Sequence, residues 1–89
     1  MKTENINIAP GFRLQFEQAQ NAYVLLYPEG MVQLNFSAGE ILNLCDGSRN
    51  EADIIKLLMT KFPDVAGIDA DISAFIKEAD ENGWIQFRG

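Results

Sequence analysis

Apolar and polar residues alternate strictly through Phe12-Arg13-Leu14-Gln15-Phe16-Glu17, the two-residue period of a half-buried strand. A polar connector, Gln18 to Asn21, separates this segment from Ala22-Tyr23-Val24-Leu25-Leu26-Tyr27. That second run is continuous and rich in β-formers, so it reads as a strand covered on both faces. Pro28-Glu29-Gly30 is a tight turn, with Pro28 pre-setting φ and Gly30 expected to adopt a left-handed conformation that closes the hairpin. Alternation resumes over Met31-Val32-Gln33-Leu34-Asn35-Phe36, with Val32, Leu34 and Phe36 as the inward set. The pattern predicts a three-stranded antiparallel meander whose third strand is open to being an edge.

Helical signals follow. Ser37-Ala38-Gly39-Glu40 has the form of a capping box, and a short helix through Ile41, Leu42 and Leu44 is expected to stop at Asp46, with Gly47 as its C-terminal cap. Asn50 caps the next helix, with Glu51 and Asp53 in the first turn, where the helix dipole favours acids. Ile54, Ile55, Leu57, Leu58 and Phe62 form its apolar stripe, and Pro63 stops it. The last helix spans about Ile68 or Asp69 to Asn82 with Ile72, Phe75, Ile76 and Ala79 on one face. Gly83 ends it before a final extended piece, Trp84-Ile85-Gln86-Phe87. The expected fold is therefore α+β: a small winged-helix-like domain, a three-stranded meander followed by three helices and a short terminal extended segment. Residues 1–9 are expected to form a flexible N-terminal segment and residues 10–89 a single domain.

Composition narrows the chemistry. Eighty-nine residues make one small domain and leave no room for a Rossmann or barrel enzyme. The chain has no histidine and one cysteine, which removes the commonest general base, a thiol–imidazole pair and any cysteine-rich zinc site. Catalysis would have to rest on carboxylates, Tyr or Lys, so the reading is a non-enzyme without metal or cofactor. A lone cysteine and the lack of a signal-like apolar run fit a reducing cytoplasm. Thirteen acids against seven bases give a net charge of −6, which opposes nucleic acid and anionic membranes. Cys45 reads as a small buried hydrophobe, Tyr23 and Tyr27 as packing residues, and Trp84 as a closure of the core.

The run Leu25-Leu26-Tyr27-Pro28-Glu29-Gly30-Met31-Val32-Gln33-Leu34-Asn35, with Ser37-Ala38, Ile41-Leu42, Leu44-Cys45-Asp46-Gly47 and Ile54-Ile55, closely resembles the PqqD family of peptide chaperones in pyrroloquinoline quinone (PQQ) biosynthesis. The resemblance spans roughly Pro10 to Phe87. It implies a RiPP recognition element, a domain that binds the leader of a ribosomal precursor peptide, PqqA, and presents it to a radical SAM enzyme, PqqE. It further implies that the guest adds as a strand to the third strand, in a groove beside the last helix. Met31, Val32, Gln33, Leu34 and Asn35 are the expected strand-addition residues, and Ile72, Phe75, Ile76 and Ala79 the expected groove wall.

The physics of the residues agrees with that mode, because Met31 to Asn35 lack the Lys or Pro that would block pairing at an edge. A DNA-binding winged helix fits the order of elements but fails on sign. The last helix carries Asp69, Asp71, Glu78, Asp80 and Glu81 against Lys77 alone. An acyl carrier would need an attachment serine at a helix start, whereas Ser73 lies inside a helix and Ser37 is expected to cap one. A recognition element of another peptide pathway is the closer rival. The oligomeric state is left as monomer or homodimer, since an unblocked edge can pair with its own copy.

Overall fold

The computed structural model describes residues 3–88. The chain runs β1 (Asn5–Ile8), β2 (Arg13–Glu17), β3 (Ala22–Tyr27), β4 (Gly30–Gln33), α1 (Phe36–Asn43), β5 (Asp46–Asn50), α2 (Glu51–Lys61), α3 (Ile68–Glu81) and β6 (Ile85–Arg88). The strands form two antiparallel three-stranded sheets, ordered β2-β3-β4 and β5-β1-β6. The first is the expected meander. The second was not foreseen as a sheet, and it corrects two expectations.

The first correction concerns the N-terminal segment. Asn5–Ile8 is the central strand of the second sheet, pairing with β5 on one side and β6 on the other, rather than a flexible lead-in. Ile6 is 0% exposed and joins the main core. The second concerns Asp46-Gly47, which opens β5 instead of ending a helix. Gly47 has φ of 90°, a left-handed conformation that favours glycine, at the point where the register of β5 against β1 is irregular. The helix before it ends on Leu44.

Other local readings hold or shift by a residue or two. Asn50 caps α2 in a capping box with Asp53, and Phe62 ends the helix just ahead of Pro63. At the end of α3, Gly83 N–H donates to Asp80 and Trp84 N–H to Ala79, the paired bonds of a Schellman stop. The cap of α1 lies upstream of the expected one. Asn35 Oδ1 accepts from Ala38 N–H at 2.8 Å, and the Ser37 hydroxyl donates to the same oxygen. Glu40 instead pairs with Lys61 at 2.6 Å. Tyr27 lies directly opposite Gly30, and the hairpin closes without a left-handed Gly30.

The core collects Leu25 and Leu34 from the meander, Ile41 and Leu42 from α1, Ile54 and Leu58 from α2, and Ile72 and Ile76 from α3, with Ile6 and Ile85 closing it from the second sheet. Helix α1 approaches β3 closely because residue 39 has no side chain. A Cβ on Gly39 would stand 2.8 Å from Cδ2 and 3.1 Å from Cβ of Tyr23. Gly39→Ala would gain up to about 1 kcal/mol in helix propensity. The overlap with a sheet residue costs about 1–3 kcal/mol in strain, so strain wins. The variant should unfold at lower urea than the parent, by about 1 kcal/mol. An unchanged or raised midpoint would show that α1 can move off the sheet freely. No helix among the described residues is long and apolar enough to cross a membrane.

Candidate functional site

Strand β4 is an edge, because it pairs only with β3. Its polarity follows from one hydrogen bond and the register. Leu34 N–H donates to Tyr23 C=O at 3.3 Å, and Leu25 lies opposite Val32. In an antiparallel ladder a residue's N–H and C=O point to the same side, and successive residues alternate. The peptide groups of Val32 and Leu34 therefore face β3, whereas those of Met31 and Gln33 face outward. Side chains alternate about the other axis. Val32 and Leu34 pack against the core, and Met31 (52% exposed) and Gln33 lie on the opposite, open face.

Edges attract unwanted pairing unless something blocks it, and charge is the usual means. Strand β2 carries Arg13 and Glu17, β5 carries Asp46 and Arg49, and β6 ends on Arg88. Strand β4 reads Gly30-Met31-Val32-Gln33 and carries no charge. Among the four outer strands it alone is left chemically open to a visiting backbone.

Just beyond β4 the chain turns into α1, and there an apolar groove of about 270 Å³ opens between α1 and α3. Phe36 and Ile41 line it from α1, Phe62 and Val65 from the turn after α2, and Ile68 and Phe75 from α3. Phe36 and Phe62 meet edge to face with centroids 5.8 Å apart. Phe75 is half-buried, with Trp84 at 6.3 Å. Trp84 thereby packs against the core, as its sequence position suggested.

The expected site residues divide on this geometry. Met31, Val32, Gln33 and Leu34 lie on or beside the open edge, while the Asn35 side chain is committed to capping α1. Phe75 and Ile72 line the groove. Ile76 and Ala79, 2% and 0% exposed, belong to the core beneath and border no part of it. Sequence reasoning missed Phe36, expected as an inward strand residue and instead 69% exposed at the first turn of α1. The signal was Asn35, whose capping preference breaks the alternation one residue before Phe36.

Cys45 takes no part. It is buried at 3% exposure, and its thiol contacts Ile41 C=O at 3.3 Å. Burial, aided by the negative charge of Asp46 and opposed by Arg49, pushes its pKa from 9.0 up to about 12. Between those values the unfolded chain loses a proton that the folded chain keeps, so stability falls as pH rises. Urea unfolding at pH 8 and 10 should differ by about 1 kcal/mol from this group, and Cys45→Ala should remove that difference. An equal pH slope in the variant would assign the loss to other groups.

An uncharged open edge beside an apolar groove is what one class of protein presents, the peptide-binding module, because an extended chain can join such an edge. Comparison with known proteins places the chain within that class. Residues 22–85 match the family Coenzyme PQQ synthesis protein D (PqqD). A PqqA binding protein of Pseudomonas aeruginosa is 58% identical over 78 residues, covering 88% of this chain and 85% of its own. One from Klebsiella pneumoniae is 45% identical over 87 residues, covering 98% and 95%. The solution NMR structure of the PqqD truncation of Methylobacterium extorquens PqqCD, described as a functional and stand-alone RiPP recognition element, superposes with a TM-score of 0.73. It shares 28% identity and covers 91% of this chain and 87% of that one. The chain belongs to the PqqD family.

Proposed function

We propose that this domain is a peptide chaperone of PQQ biosynthesis, a recognition element that binds the precursor peptide PqqA along β4 and presents it to the radical SAM enzyme PqqE in the cytoplasm. The observation that carries the proposal is the uncharged outer edge of β4, where the peptide groups of Met31 and Gln33 point away from β3. An extended guest satisfies those groups together and carries alternate side chains toward the groove at Phe36 and Phe75. The names of the relatives support the choice of PqqA as guest. The domain itself does no chemistry; it orders a flexible substrate for an enzyme.

Electrostatics favours peptide over nucleic acid. The exposed side of α3 presents Asp69, Asp71, Glu78 and Glu81, which phosphates would meet with repulsion. The test is titration of the isotopically labelled domain with synthetic PqqA. Amide shifts should centre on Met31 to Phe36 and on the Ile68–Phe75 side of α3. A folded domain that shows no shifts at tens of micromolar peptide would overturn the proposal. Strong binding of an unrelated leader, with PqqA ignored, would move the domain to another peptide pathway.

A further inference from the structure

An added strand on β4 would place every second guest side chain on the face shared by Val32 and Leu34, the face that the helices cover. Past the end of β4, where the chain turns into α1, lies the aromatic groove. Its volume of about 270 Å³ is room enough for one large side chain. Its mouth is set by Phe36, whose ring is mostly in water and meets Phe62 edge to face. Lys61 backs Phe62, with its ammonium 5.5 Å from the ring centroid. An exposed phenylalanine at the entrance of an apolar groove gains most when a guest covers it.

The charges around the groove are unequal. Two acids line it, Glu40 and Asp71, and no cation does. Glu40 is neutralised by Lys61 at 2.6 Å. Asp71 is exposed and forms no ion pair among the described residues. The groove is thus apolar inside and singly negative at the α3 rim. A guest carboxylate there would meet repulsion, and a guest ammonium or guanidinium would meet a partner.

We propose that Phe36 and Asp71 are the specificity-determining residues of the docking site: the groove selects a large apolar guest side chain with a Lys or Arg close beside it. The aliphatic or aromatic group covers Phe36 and enters between Phe62 and Phe75, and the cation pairs with Asp71. This rests on strand addition to β4, and it adds a side-chain requirement that backbone pairing alone does not impose.

The test measures the affinity of synthetic PqqA for the parent domain and for Phe36→Ala, Phe36→Leu, Asp71→Asn and Gln33→Pro. A parallel set of PqqA peptides carries each large apolar residue changed to Ala and each Lys or Arg changed to Gln. Phe36→Ala should weaken binding by about tenfold or more, and Phe36→Leu should recover most of it. Asp71→Asn should weaken it about three- to fivefold at low salt, and the difference should vanish near 0.5 M salt, where the screening length is only a few ångströms. One apolar-to-Ala peptide should lose affinity for the parent yet bind Phe36→Ala no worse than unmodified PqqA does. One Lys/Arg-to-Gln peptide should behave the same way toward Asp71→Asn. Because both side chains are exposed, thermal melts should match the parent and exclude misfolding. If both variants bind like the parent while Gln33→Pro does not, the groove requirement is overturned and strand addition stands. If the parent does not bind, or Gln33→Pro binds as well as the parent, strand addition falls and this proposal falls with it.

Discussion

Deleting residues 1–8 should leave a chain with no cooperative unfolding transition and a collapsed, poorly dispersed amide spectrum. The deletion removes β1, the centre of the β5-β1-β6 sheet, and so deprives both neighbouring strands of their partner. Ile6 goes with it, a side chain with no exposed surface that touches the same core as Ile54, Ile72 and Ile85. A single change makes the same point more gently. Ile6→Ala removes three buried carbons and should cost about 2–5 kcal/mol, a large share of the roughly 5–15 kcal/mol that holds a small domain folded. Circular dichroism against urea checks both variants. A sigmoidal melt and native-like spectrum from the deletion would show that the meander and helices stand without the second sheet.

Gln33→Pro should abolish most peptide binding while leaving the fold intact. The N–H of Gln33 points away from β3, so losing it breaks no internal ladder bond, and proline is tolerated on an edge with its nitrogen outward. The guest, however, loses a donor in the middle of its ladder and meets a pyrrolidine ring where its own backbone should lie. A drop in affinity of at least about tenfold is expected, with a melting temperature close to the parent's. Val32→Pro is the opposite control. The N–H of Val32 faces β3, so that variant should be destabilised even without peptide. Equal stability of the two proline variants would mean that the inferred polarity of β4 is inverted, and unchanged binding by Gln33→Pro would remove β4 from the interface.

The sequence was most legible where a local signal and the final contacts agree. Tyr23, Val24 and Leu25 are strand-formers and lie in a central strand; Asn50 and Gly83 delimit helices by their own side-chain and backbone preferences. Strands β1 and β5 escaped because neither has enough pattern of its own. Asn5-Ile6-Asn7-Ile8 alternates for only four residues, and Asp46-Gly47-Ser48-Arg49-Asn50 holds no apolar residue. Each is a strand only because the other is beside it, a tertiary fact invisible to any window of sequence. The open edge could be read from the absence of charge in Met31-Val32-Gln33. The α3 wall of the groove was expected at Ile72 and Phe75, but its opposite wall was not, since Phe36 and Phe62 come from separate places in the chain and Phe36 follows an alternation that the Asn35 cap interrupts.

The pairing of Asn5 with Arg88 and of Ile8 with Ile85 joins the two ends of the chain in one ladder. The β2-β3-β4 meander, by contrast, closes through neighbours a few residues apart. Short-range pairing is the quick part of folding and end-to-end closure the slow part. On a ribosome the meander, with its open edge, therefore becomes available while the second sheet still lacks β6. Strand β6 emerges after every other element of the domain, and until it pairs with β1 the open β4 edge is exposed on a partly folded chain, where a strand from a neighbouring copy can reach it.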